Sequence, residues 1–416
     1  MNTMELINQP LNGQLGNRLI ELLDSSKYDA LNITVAFAKN SGVLRIKPFL
    51  DKFREKGGIV NAYIGIDLGG TSYEALIALF LCTDSLSVIH SESSQTFHSK
   101  VYQFLGKNEG LLVVGSHNLT AGGLWTNFES SALIPIDMTK PHSSSIVKAQ
   151  TEYFSALASL DKLLMPIHSK DDIDKLYKRG YITNEVKQQV YKRDSNKSEN
   201  HLPKLFGNGY STSLPSITPT AQNVNSEQVE KQFPNKELTK SISHLKDYSK
   251  TIWFETKRMT GGSRNILDLS KRSLVERGDP RGTIFSLGLP ELMRGGVEFF
   301  GINADQTNIE KNITLNFEGV DYVNNTILYP KGESANGTWR LQIKGTDSNG
   351  VKITDAFRNK GETDYLVQKI VTFSRVSTDY YFLSVFPETD ILLFENASRI
   401  LARNGSSNNA RRLGLL

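Results

Sequence analysis

The chain has 416 residues, with 48 Lys and Arg against 44 Asp and Glu and a net charge of +4, so charge alone does not compel a nucleic-acid partner. A single cysteine, Cys82, excludes an internal disulfide framework and fits a reducing cytoplasm, where we expect the protein to reside. No run approaches 18 apolar residues and no basic segment followed by an apolar one opens the chain, so neither a membrane span nor a secretory signal is expected.

In chain order, residues 31–37 are β-rich and read as a central strand. Residues 43–55, closed by Gly57 and Gly58, carry apolar side chains at turn spacing and predict a helix. Residues 59–66 predict a second strand, residues 72–81 a helix capped by Thr71 or Ser72, and residues 86–89 a third strand. Strands at 98–104 and 111–114 follow, linked by a tight turn at 106–110. A further apolar segment spans 125–134, and residues 149–160 predict a helix. Strands crossed by helices imply a mostly parallel or mixed sheet with helices on its faces, an α/β domain. Gly65, Asp67, Gly69, Gly70 and Thr71 have the texture of a phosphate-cradling loop, but a helix follows at once. The reading is a strand-to-helix turn whose amides or Thr71 hydroxyl would reach a backbone phosphate.

The chemistry concentrates in residues 98–134. His98 and Lys100 are two apart and on a strand would point to one side. Ser116 closes the next apolar run, Asn118 follows, and Glu129 lies on the segment after that. An imidazole can attack phosphorus or pass a proton near neutral pH. A lysine and an amide can hold the equatorial oxygens of a phosphoryl group. A carboxylate can orient the imidazole. Gly115-Ser116, with Asn118 and Thr120 beyond, suits a helix N-terminus aimed at a phosphate, to which Ser116 would donate. Gly122-Gly123 lets the chain reverse, and Trp125 packs either in the core or at a dimer contact. His117 should face away from His98. No His, Asp or Cys cluster has metal-ligand spacing, so a mechanism without metal or cofactor is favoured. The spacing alone equally fits His98 and Lys100 as an ordinary exposed pair on an edge strand.

Residues 166–193 are basic with helical patches, either a DNA contact or a solvated helical surface. From 194 to about 236 the composition turns to Ser, Asn, Thr, Pro and Gln, and the domain boundary belongs there. Beyond it the texture is all-β: strands are predicted at 252–255, 296–300, 311–317, 326–329, 338–343, 366–374 and 380–386, with turns at 323–325, 335–337 and 348–350. Such a half suggests a barrel or pseudobarrel. Lys257, Arg258, Arg264, Asn265, Lys271 and Arg272 form a basic, glycine-rich stretch suited to phosphates and base edges, or a solvated loop. Asn349, Lys352, Arg358 and Lys360 are a second candidate. Arg399, Arg403, Arg411 and Arg412 are either phosphate contacts or a frayed basic end.

His98-x-Lys100, Gly115-Ser116-x-Asn118 and Asn127-x-Glu129 resemble the motif of the phospholipase D superfamily. Their order is most similar to its nuclease branch, the BfiI- and NgoFVII-like type II restriction endonucleases. The resemblance covers roughly residues 15–160. The superfamily's usual Asp, five residues after the Lys, is Leu105 here. That departure is shared by the restriction-enzyme branch, where a downstream Glu takes the orienting role, a position Glu129 fits. The resemblance implies a covalent phosphohistidine at His98, with Lys100, Ser116, Asn118 and Glu129 completing the catalytic set. It also implies a homodimer sharing one site, since two motif copies make a centre. The implied architecture is an α/β phospholipase D-like sandwich over residues 1–165, a basic helical segment and polar linker over 166–240, and an all-β B3-like pseudobarrel over 241–416 that recognises DNA.

The function so implied is metal-independent, site-specific hydrolysis of double-stranded DNA, with a cognate DNA methyltransferase acting on the same sequence. Alternatives are a DNA-binding subunit whose cleavage needs a separate ATP-dependent translocase, and a non-specific or lipid phosphodiesterase of the same superfamily. No Walker motif is present, so a motor would be another chain. His-x-Lys recurs at His168 and at His244. The latter is followed by Gly262-Ser263-x-Asn265 and Glu276, but without the apolar strands that flank the first set.

Overall fold

The computed structural model describes residues 3–160, 162–195, 207, 209–210, 212–217, 250–257, 264–331, 337–360 and 364–416. They fall into two compact units, residues 1–188 with 201–216 and residues 189–200 with 217–416. Arg258 and the His244, Lys246, Gly262 and Ser263 positions lie outside the described residues.

The first unit runs β1 (Glu5–Gln9), α1 (Leu15–Asp24), β2 (Ala30–Val35), α2 (Asn40–Glu55), β3 (Ile59–Gly65), α3 (Tyr73–Cys82), β4 (Ser85–Ile89), β5 (Lys100–Leu105), β6 (Glu109–Gly115), β7 (Glu129–Asp137), α4 (Pro141–Ser159), β8 (Leu164–Pro166), α5 (Lys170–Lys178) and the start of α6 (Glu185–Ser195), a helix the unit boundary divides after residue 188. One eight-stranded sheet has the order β1-β7-β6-β5-β2-β3-β4-β8. Only β2, β3 and β4 are mutually parallel, and they are the strands joined through α2 and α3. α2 and α3 pack on each other, as expected of right-handed crossovers that place both on one side of the sheet. Val43, Ile46, Leu50 and Phe53 of α2 are buried at helical spacing. Ser72 caps α3, its hydroxyl accepting the Ala75 N–H at 3.2 Å, a contact that stabilises by about 1 kcal/mol.

Alternation sorts the sheet into two faces. Leu86, Ala62, Ile33, Tyr102, Val113 and Leu133 register side by side and all are buried. The opposite row carries Tyr63, Thr34, Val101, Val114, Ala132 and Leu6. α4 covers one end of that row: Phe154 stacks on Tyr63 with ring centroids 3.9 Å apart, and Val147 packs on Val101, Leu112 and Ile136. At the other end Leu6 and Val114 remain 55% and 41% exposed. Trp125 is fully buried, against Gly16 of α1 with its indole N–H donating to Asn17, which settles it as core. α5 packs on α3, the Tyr73 hydroxyl donating to Asp174 at 2.7 Å. His168 precedes the capping box of α5, formed by Ser169 and Asp172.

The second unit contains β9 (Thr251–Glu255), β10 (Ile266–Leu269), β11 (Arg272–Arg277), β12 (Leu292–Arg294), β13 (Glu310–Phe317), β14 (Val320–Leu328), β15 (Trp339–Gln342), α7 (Ile353–Arg358), β16 (Lys369–Arg375), β17 (Tyr380–Pro387), α8 (Ile391–Ala397), β18 (Ile400–Arg403) and β19 (Arg412–Leu415). They build an eleven-stranded sheet ordered β10-β15-β14-β13-β17-β16-β9-β19-β18-β11-β12, in which, among the described residues, only β13 and β17 pair in parallel. Phe254, Phe299, Phe300, Trp339, Phe373 and Tyr381 are buried in one core. The chain passes from β10, at one edge, to β11, near the other, through Ser270 and Lys271 alone. Asn404 clasps that corner, accepting the Ser270 N–H at 2.9 Å and donating to the Asp268 carbonyl at 2.6 Å. The sheet therefore curls, but among the described residues its hydrogen-bonded ladder ends at β10 and β12 and does not close.

Three expectations change here. Residues 296–300, expected as a strand, form a 3-10 turn (Gly296–Phe300) that buries Val297, Phe299 and Phe300. Residues 323–325, expected as a turn, lie within β14, because the buried Asn325 side chain is consumed by the Tyr322 carbonyl and the Lys344 and Gly345 amides. The basic C-terminal stretch is no frayed end: β19 pairs with β18 and β9, and Leu413 and Leu415 are buried.

Candidate active site

The predicted catalytic residues come from one end of β5, β6 and β7, a sheet edge that the ends of β2 and β3 extend. β2, β3 and β6 finish there, and β5 and β7 begin there; Val35 registers with Lys100, Val101 with Val114, and Gly115 with Ser131. His98 is exposed and lies two residues before β5, while Lys100 opens that strand and is buried to 8% exposure. The Lys100 ammonium nevertheless reaches back to His98. Its Nζ lies 2.7 Å from Nδ1 and 3.0 Å from Nε2 of the ring, and it donates to the His98 carbonyl at 2.9 Å. Burial lowers the Lys100 pKa, and the nearby Glu129 carboxylate opposes that shift.

Asn118 follows β6. Its Oδ1 accepts the Phe37 N–H at 3.1 Å, and the Phe37 ring stands edge-on to the His98 ring with centroids 5.7 Å apart. The segment after β2 pairs with the segment after β6, Leu119 donating to the Phe37 carbonyl and Lys39 to the Leu119 carbonyl. Gly123 lets the turn after Asn118 fold back on it, since a Cβ there would fall 2.3 Å from the Asn118 carbonyl oxygen.

Ser116 and Glu129 meet across the β6–β7 pair. The Ser116 hydroxyl donates to Glu129 Oε2, and the Asn127 amide donates to Oε1 at 3.2 Å. Among the described residues no hydrogen bond joins Glu129 to His98; its links to the site run through Ser116 and through its field at Lys100. Gly115 permits the contact, since a Cβ there would sit 2.0 Å from Ser131 Oγ. His117 points away and is fully buried, its Nδ1 2.5 Å from Ser131 Oγ. Burial holds its pKa down to about 4, so it is neutral at ordinary pH.

Two supporting residues escaped the sequence reading. Gln9 is buried, and its amide donates to the carbonyls of Gly122, Gly123 and Asn127, tying β1 to the turn that delivers Glu129. A polar residue ending an otherwise unremarkable strand gave little signal. Asp67 accepts the Phe97 N–H beside His98, although the sequence reading assigned its loop to phosphate. Thr71 does not face outward either: it is fully buried, donating to the Gly65 carbonyl and accepting the Ala38 N–H.

In the second unit Lys257, Arg272, Asn349 and Lys352 are exposed. Lys271 lies over the Tyr329 ring, 4.4 Å from its centroid, and the Asn265 carbonyl accepts the Ile343 N–H. Arg264 pairs with Asp364 at 2.9 Å, Arg358 with Asp355 at 2.5 Å, and Lys360 with Glu318. From the rival motif, Glu276 is paired with Arg403 at 2.6 Å. Among the described residues no group of three or more His, Cys, Asp or Glu side chains lies together as a metal site, and no helix is long and apolar enough to cross a membrane.

No family model matches the chain, and no curated protein matches it in sequence. In structure it is similar to Nuc, a phospholipase D family member from Salmonella typhimurium, at 17% identity over 40% of this chain and 99% of that one, with a TM-score of 0.30. It is also similar to NucT from Helicobacter pylori, at 15% identity over 38% and 96% of the respective chains, with a TM-score of 0.28. Yeast tyrosyl-DNA phosphodiesterase matches at 12% identity over 43% of this chain and 41% of that one, with a TM-score of 0.26. The likeness is distant in each case.

Proposed function

We propose that this protein is a phosphodiesterase with His98 as its nucleophile, acting on double-stranded DNA at specific sequences as a restriction endonuclease. The observation that carries the chemistry is the convergence of His98, Lys100, Ser116, Asn118 and Glu129 at one end of neighbouring strands. A ring nitrogen of His98 attacks phosphorus, and the bond to the leaving sugar oxygen breaks as the N–P bond forms. The Lys100 ammonium and the Asn118 N–H groups donate to the non-bridging oxygens, where charge builds. The leaving oxygen takes a proton from the partner subunit's His98. That imidazole then takes a proton from water, water attacks phosphorus, and the N–P bond breaks to release a phosphate monoester and free His98.

A homodimer supplies the second imidazole, and the exposed Leu6 and Val114 beside Ser116 offer an apolar face for it. The β-rich second unit would read DNA as a B3-like module through Lys257, Arg272, Asn349 and Lys352. A cognate methyltransferase would then protect the host sequence, and a separate ATPase remains compatible with cutting. A second reading, a phosphodiesterase without sequence specificity, is favoured by the internal pairing of Arg264, Arg358 and Lys360. Digestion of unmethylated plasmid and genomic DNA separates the two. Discrete fragments are expected; a smear, or equal hydrolysis of a small phosphodiester, would favour the second reading.

A further inference from the structure

We infer that Asp67 is a positioning residue for His98, itself held by His90, and that this pair fixes how the nucleophile presents its ring. The inference rests on reading His98 as the nucleophile. His98 sits in the connection between β4 and β5, outside the ladder, which begins at Lys100. Over residues 91–99, among the described residues, the backbone makes two hydrogen bonds to side chains of other elements. Lys100 Nζ donates to the His98 carbonyl, and the Phe97 N–H donates to Asp67 Oδ2 at 2.9 Å. The peptide unit that precedes Phe97 and the one that follows His98 are thereby pinned, bracketing the nucleophile at a distance of one residue on its N-terminal side.

Asp67 follows β3 and is nearly buried. Its second oxygen, Oδ1, lies 2.5 Å from His90 Nδ1, so both carboxylate oxygens are engaged, as a buried carboxylate requires. His90 follows β4, its backbone N–H donating to the Leu163 carbonyl. The anchor therefore passes from the ends of two parallel strands, through one carboxylate, to the amide next to the nucleophile. Gly65 lets Phe97 settle there: a Cβ would stand 3.1 Å from the Phe97 carbonyl oxygen and 2.7 Å from that of Ala36. An in-line attack tolerates little displacement, and a shift of about 1 Å can cost on the order of 100-fold in rate. Asp67 touches no reacting atom in this scheme; it acts through the backbone.

The test compares full-length parent, Asp67→Ala and Asp67→Asn on a DNA substrate, with thermal melting and the ring resonances of histidine labelled with nitrogen-15. Asp67→Ala should lower kcat by about 10- to 100-fold with KM within about twofold. Asp67→Asn, whose amide oxygen still accepts the Phe97 N–H, should recover most of that loss. The His98 ring signals should broaden or double in Asp67→Ala and stay single in Asp67→Asn. An Asp67→Ala protein with parental kcat would overturn the inference, as would equal loss in two folded variants. If the parent fails to cleave, the nucleophile reading falls separately, and unchanged His98 signals in Asp67→Ala would then sink the positioning role as well.

Discussion

Asn118 Oδ1 accepts the Phe37 backbone N–H at 3.1 Å, so this amide has its orientation fixed and only its N–H donors remain to meet a phosphate. Asn118→Asp keeps the acceptor and removes those donors. Cleavage should fall by roughly 100- to 1000-fold, the usual cost of one transition-state donor, while melting stays near the parent. Asn118→Ala should also leave the Phe37 amide without its partner and cost about 1–3 kcal/mol of stability. Rates and denaturant melts on the two variants separate these effects.

Gly115 tests the β6–β7 contact that joins Ser116 to Glu129. Gly115→Ala would place a methyl group 2.0 Å from Ser131 Oγ and 2.2 Å from the Ser130 carbonyl oxygen. The strands must part, at a cost of about 1–3 kcal/mol. A urea melt that matches the parent would mean the strands are not held as closely as described.

The pH dependence of stability has a marked contributor away from the site. Burial, and then the Glu185 carboxylate, raise the Glu74 pKa to about 7; in the unfolded chain it titrates near 4.5. Between those values the folded protein holds a proton that the unfolded chain has released, so this contribution is complete below about pH 4.5 and is lost as pH rises through about 7. Glu74→Gln lacks that titration. It should gain on the parent by about 1–3 kcal/mol between pH 5 and pH 8. Parallel melting curves for the two across that range would contradict the buried-carboxylate assignment.

The dimer proposal places Leu6 and Val114, both registered against Ala132, at a contact between copies. Val114→Lys sets a charge in that apolar face and should weaken self-association by roughly 100-fold. Sedimentation should show monomer, with cleavage lost at the same protein concentration. A Val114→Lys protein that stays dimeric and active would remove this face from the interface.

The alternation and turn spacing of residues 31–89 made β2, α2, β3, α3 and β4 legible, because Leu31, Ile33, Val35, Val60, Ala62, Ile64, Leu86 and Val88 alternate with more polar neighbours and α2 keeps a clean helical stripe. The site was legible through residue types at short spacing, although His98 lies outside the strand on which spacing placed it. α1 carries Leu15, Leu19 and Leu22 at helical intervals, a signal that was present and went unread; β1 and β8 are too short to declare themselves. Asp67 and Gln9 were hidden for another reason. Each acts across a long sequence separation on a backbone group, and nothing local marks an N–H 30 residues away or a carbonyl 118 residues away as its partner. In the second unit Asn325 misled the reading, since a buried asparagine whose bonds are all satisfied looks like a turn residue in sequence.

The central claim is that His98 forms a bond to phosphorus. The direct measurement is mass spectrometry of the protein quenched in alkali during turnover in EDTA, with the peptide bearing His98 followed in the parent, His98→Ala and Lys100→Ala. A nucleotide adduct on that peptide in the parent, none in His98→Ala, and loss of cleavage in His98→Ala are expected. Undiminished cleavage by His98→Ala, or an adduct on another residue, would contradict it.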